Sequence, residues 1–165
     1  METAMTGNTA ASASWLICVS GSSTCGIPLT QVVESMRALT VERVPGMPSF
    51  MTGMAMIRGA QVPVVHLGEL LGESTLSTPT RYITLKLDRR IVALAVDSVT
   101  GVMQLATDAV ALLPPLLRAA RSEMISMVGT LDNELLLTLE TTKLIPETLW
   151  QQLETQQAAS RGSQS

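Results

Sequence analysis

Gly53-Met54-Ala55-Met56-Ile57-Arg58-Gly59-Ala60-Gln61-Val62-Pro63-Val64-Val65-His66-Leu67 is the stretch on which the fold turns. Two short apolar runs, Met54 to Arg58 and Val62 to Leu67, flank Gly59-Ala60-Gln61, and such runs around a glycine-bearing turn predict a β-hairpin. Gly53 and Gly59 read as turn glycines. Directly after the hairpin, Leu67-Gly68-Glu69-Leu70-Leu71-Gly72 reads as a single helical turn stopped by glycine.

Working outward, the same pattern recurs. Upstream, Trp15-Leu16-Ile17-Cys18-Val19 and Cys25-Gly26-Ile27-Pro28-Leu29 flank Ser20 to Thr24 as another hairpin. Gln31 to Arg37 then reads as a short helical turn with Thr30 as its N-cap, ahead of a loop marked by Pro45, Gly46 and Pro48. Downstream, a polar break from Glu73 to Thr80 precedes Arg81 to Leu87, which alternates cleanly, a turn at Asp88-Arg89-Arg90, and the nearly continuous apolar run Ile91 to Val96. Leu112-Leu113-Pro114-Pro115-Leu116-Leu117 is an apolar loop that proline keeps out of any central strand. Ile125 to Leu131 and Leu135 to Leu139, around Asp132-Asn133, give a fourth hairpin. Pro146 opens a closing helix whose Leu149, Trp150 and Leu153 share one face.

Two halves resemble each other. Gly26 to Met36 lines up without gaps on Ala93 to Met103, and Gln61 to Leu67 parallels Glu134 to Leu139 with a one-residue shift. A duplication of this kind predicts two small β-barrels, each marginal alone and each needing the other's surface, with a groove beside their shared seam. The expected organisation is a tail over residues 1–13, a paired-barrel body over 14–155 and a second tail over 156–165. The first barrel takes about residues 26–80 plus exchanged terminal segments, and the second about 81–145.

Composition narrows the function classes. Of 165 residues 46% are apolar and 15% charged, well below the usual ~25% charged, which excludes disorder from the body. Fourteen acidic against eleven basic side chains leave a net charge of −3, and only Lys86 and Lys143 are lysines. Without a basic stripe or aromatic platforms, nucleic acid is excluded as a partner. No apolar run approaches the ~18 residues of a membrane span, and no signal peptide opens the chain, so no direct membrane insertion and a cytoplasmic location are expected.

Reactive chemistry has few candidates. His66 is the one histidine, so neither it nor Cys25 has the partner groups that a nucleophile, a general base or a metal would need, and no enzyme activity, metal or cofactor is expected. Cys18 and Cys25 could face each other across a turn at Gly21-Ser22, as a disulfide or as buried reduced thiols. Met47, Met51, Met54 and Met56 read equally as core filler or as a pliable surface for a partner's helix. A barrel pocket lined by Met54, Met56 and Val64 and holding a small apolar ligand is the alternative function.

At this point the residues resemble a family. Gly53 to Leu67 is similar to the pattern G-x-x-N-[LI]-R-G-x-x-[VIL]-P-[VI]-[VI]-D-L of the CheW-like domain, the adaptor module of bacterial chemosensory pathways. Ile27-Pro28-Leu29, Val32 to Arg37 and Val96 to Val102 also follow that family's pattern. Met56 stands where asparagine is usual and His66 where aspartate is usual. The resemblance implies a mainly β fold of two tandem SH3-like five-stranded barrels with short helices, and no enzymatic activity. It also implies two partners, the cytoplasmic tip of a methyl-accepting chemoreceptor and the regulatory domain of a chemotaxis histidine kinase. An adaptor of this kind would be recruited to membrane receptor arrays through those partners. The receptor side falls on Val32, Glu34, Met36, Arg58 and Gly59. Glu34 and Arg58 match the family's charged pair, and Val32 and Met36 form either an apolar wall beside it or part of the core. The kinase side falls on Val99, Gly101, Val102 and Met103.

Overall fold

The computed structural model describes residues 12–72, 78–106, 110–112, 125–131, 134–139, 141 and 144–164. The chain forms eleven described strands and two α-helices. The strands are β1 (Ser12–Ser20), β2 (Ser23–Pro28), β3 (Val32–Arg37), β4 (Met51–Ile57), β5 (Ala60–His66), β6 (Arg81–Leu87), β7 (Arg90–Val96), β8 (Ser98–Ala106), β9 (Val110–Leu112), β10 (Ile125–Leu131) and β11 (Glu134–Leu139). The helices are α1 (Leu67–Leu70) and α2 (Glu147–Gln164). The fold is mainly β, as expected, in two sheets. One runs β8-β1-β2-β11-β10-β9 and the other β3-β6-β7-β5-β4.

Each sheet draws on both halves of the chain. The β1/β2 hairpin pairs Trp15 with Pro28, and the β6/β7 hairpin pairs Tyr82 with Ala95, the same two positions 67 residues on. β1 meets β8 and β6 meets β3 in matching register, with a bulge that leaves Thr100 unpaired in one and Val33 in the other, again 67 residues apart. In the parallel pairings Gly26 meets Thr138 and Ala93 meets Val64. The later repeat therefore sets Val64 against Thr138 and Val65 against Leu139, a spacing one residue longer than the sequence alignment of those strands. The exchange also reaches further than the expected division at residue 81, because β6 and β7 belong to the sheet of β3, β4 and β5. The chain crosses between sheets at Asp97, whose amide donates to the Val19 carbonyl (2.9 Å) and whose carboxylate accepts the Gly21 amide (2.8 Å).

One apolar cluster lies between the sheets. Leu16, Cys18, Cys25 and Ile27 from the first sheet meet Val65, Ile83, Leu85 and Leu94 from the second, and Trp150 and Leu153 of α2 close it. The other face of β4 to β7 is covered too, around Val62, Val64, Tyr82 and Ala93. This is why β7 is apolar at nearly every position: both its faces are buried.

Several local expectations change. The helical turn expected over Gln31 to Arg37 is confined to Leu29–Gln31, one turn of 3-10 helix without a side-chain cap, and Val32–Arg37 is strand. The β-branched pair Val32-Val33 and the pairing with β6 outweigh a helical preference. The β4/β5 turn is Arg58-Gly59, since Ile57 pairs with Ala60, and both turn residues have positive φ (54° and 77°). Gly53 is not in a turn but inside β4, beside the Glu42–Met54 bridge. β1 begins two residues before the expected body, and α2 runs to Gln164 through the segment expected as a tail. Residues 113–117 of the apolar loop lie outside the described residues.

Candidate functional site

Arg58 and Glu34 come together. Arg58, left-handed in the β4/β5 turn, reaches Glu34 of β3, where Nε donates to Oε2 (3.0 Å) and Nη2 to Oε1 (2.6 Å). A planar guanidinium matches both carboxylate oxygens at once. Arg58 stays 77% exposed while Glu34 is 26% exposed, so the pair presents its cationic side outward. The hydrogen bonds from Arg58, aided by its charge, hold the Glu34 carboxyl below the usual carboxylate range against an opposing effect of burial. Gly59 completes the turn and is exposed.

Beside the pair lies a groove of roughly 450 Å³. Val33, Met54, Ile57, Pro63 and Ile91 line it on the sheet side, and Trp150 and Leu153 of α2 form the other wall. α2 is tied to β7 by Arg90, which donates to both Glu147 carboxylate oxygens (2.9 Å each), approaches Glu154 (3.3 Å) and lies 4.8 Å from the Trp150 ring centre.

Val32 and Met36 do not line this groove. The bulge at Val33 turns β3, so Val32 packs on the main cluster and Met36 on the cluster of the opposite face. The exposed apolar residue beside the ion pair is Val33, at 54%. Sequence reasoning missed it because its outward direction depends on the bulge. It missed Ile91, Trp150 and Leu153 because their place at the groove is set by pairing and packing far along the chain.

The second set of expected contacts lies on β8, an edge strand. Val99 and Met103 are half-buried, Gly101 holds φ 150°, and Val102 is 56% exposed. β8 has no charged residue over its nine positions, whereas β3, its counterpart edge, carries Glu34 and Arg37.

The residues considered for chemistry have structural duties. His66 caps α1, its Nδ1 accepting the Glu69 amide (3.2 Å). Cys18 and Cys25 face each other across β1 and β2 as buried thiols not joined in a disulfide, and burial pushes the Cys18 thiol well up. Of the four clustered methionines, Met51 and Met54 are buried and Met47 packs on the core, while Met56 is 60% exposed. Met54, Met56 and Val64 do not converge on one pocket: Met56 faces solvent and Val64 is buried on the opposite sheet face from Met54. Among the described residues no group of three or more His, Cys, Asp or Glu side chains could hold a metal ion, and no helix is long and apolar enough to cross a membrane.

Comparison with known proteins returns one family profile, the CheW-like domain, matching residues 14–149. A curated relative, the chemotaxis protein CheW of Klebsiella aerogenes, is 26% identical over 133 residues, covering 79% of this chain and 80% of its own. In fold, the chain is similar to the crystal structure of the scaffolding protein TtCheW from Thermoanaerobacter tengcongensis, with a TM-score of 0.70 at 18% identity, covering 77% of this chain and 88% of that one.

Proposed function

The chain belongs to the CheW-like domain family, and from that premise we propose that it is a non-enzymatic adaptor of a bacterial chemosensory array, coupling chemoreceptors to a chemotaxis histidine kinase. The observation that carries this reading is the bidentate Glu34–Arg58 pair standing beside exposed Val33 at the rim of an apolar groove. A groove of this kind receives the apolar face of a helix, and a fixed charge pair at its rim sets orientation. The receptor tip docks there. Arg58, Glu34 and Gly59 form the rim, and Val32 and Met36 anchor β3 behind it, one on each face of the sheet. The kinase regulatory domain docks on β8, where Val102 gives the exposed apolar contact and Val99, Gly101 and Met103 shape the strand. The protein works inside the cell and reaches the membrane array through these partners.

Co-sedimentation with a receptor-tip fragment and a kinase regulatory fragment tests the reading. Both fragments should be retained. Arg58→Glu should weaken the receptor fragment by at least about fivefold while lowering the thermal melt only slightly, because it removes an interface anchor and one exposed ion pair without touching the core. Retention of neither fragment overturns the proposal.

A further inference from the structure

Parallel strands β5 and β7 pair only at Val64–Ala93, Val65–Leu94 and His66–Ala95. Before those positions Ala60 to Pro63 and Arg90 to Val92 are not paired with each other, and the groove lies at the split. Pro63 has no amide to offer, so a partner strand finds an interrupted ladder here, whereas a helix inserting side chains needs no backbone donors.

Three arginines reach this groove. Arg58 is held by Glu34, and Arg90 by Glu147 and Glu154. Arg89, exposed in the β6/β7 turn, has no carboxylate partner among the described residues. The rim therefore offers one neutralised pair, one arginine shared by two carboxylates, and one open cation. We propose that Arg89 is the selectivity residue of the groove: it requires a carboxylate on the helix that docks there, at the flank of that helix's apolar stripe. This rests on the adaptor reading above and adds to it the chemistry that the receptor helix must bring. An acid placed elsewhere along the stripe would meet Glu34 or Glu154, so the position of the carboxylate fixes the register of the helix.

The test is a binding titration of the full chain against a two-helix receptor-tip fragment, at low salt and at 0.5 M salt. Arg89→Glu should weaken binding roughly tenfold at low salt and much less at high salt, since the pair is solvent-exposed. One acidic residue of the fragment, changed to lysine, should weaken binding to the unaltered chain and restore binding to Arg89→Glu. Arg89 is an exposed turn residue, so its variants should keep the thermal melt. Unchanged binding by Arg89→Glu, or rescue by none of the fragment's acid-to-lysine variants, overturns the inference. If Arg58→Glu weakens binding while Arg89→Glu does not, the adaptor reading stands and this inference falls. If the unaltered chain binds no fragment, both fall.

Discussion

At Gly53 the backbone has φ +151°, and an added Cβ would collide with the Glu42 carbonyl across the Glu42–Met54 bridge. The atom in the way is backbone and cannot swing aside, so Gly53→Ala should lower unfolding free energy by about 2–4 kcal/mol in a denaturant titration. Gly59 also has positive φ but open space around it, so Gly59→Ala should cost only about 1 kcal/mol. The sequence makes both positions look alike, because a glycine does not reveal whether it serves a turn or a close approach. Glu34 poses a different question. Its carboxyl titrates lower folded than unfolded, so the stabilisation is present above the unfolded carboxylate range and is lost as pH falls through the folded value. NMR titration of the Glu34 side chain should show its midpoint below that of an unpaired glutamate, and Arg58→Gln should move it up. That Arg58 and Glu34 would meet was legible, since both stand in a recognisable pattern. That Val33, not Val32, is the exposed neighbour was not, because one bulge decides it.

Among the elements, hairpins were the easiest to read: their strands are adjacent in sequence and their turns carry glycine or polar residues. β3 and β8 were harder. Each takes its one neighbour from the other half of the chain, β3 from β6 and β8 from β1, so no local pairing announces it. β8 can be tested through its exposed position. Val102→Glu should weaken kinase-fragment retention and leave the melt unchanged, since the side chain is 56% exposed. α2 is held by Arg90 as well as by the burial of Trp150 and Leu153. Arg90→Ala should therefore speed amide hydrogen exchange in the first turns of α2 while leaving β6 and β7 protected. Equal acceleration in those strands would mark Arg90 as part of the sheet's stability.

Over the whole molecule, the 67-residue repeat relates the two proposed docking strands to each other. Val32, Glu34 and Met36 stand at the positions of Val99, Gly101 and Met103, so one edge strand occurs twice, once charged and once uncharged. Divergence of a duplicated surface gives an adaptor two unlike faces on one core. The same exchange makes the halves inseparable. Cut between residues 76 and 77, the first fragment keeps β3 without β6, its one neighbour in the sheet order, and separates the β1/β2 hairpin from β8 and β11. The main cluster is likewise drawn from both sides of the cut, and each fragment is small enough for that loss to decide its stability. Each fragment alone should show no cooperative thermal transition. Mixed in equal amounts they should recover one, together with receptor-fragment binding, because the parallel pairings β2–β11 and β5–β7 form only between them and within the intact sheets. A cooperative transition in either fragment alone would mean that a half can close its own sheet, and the exchange would then be one arrangement of two independent folds.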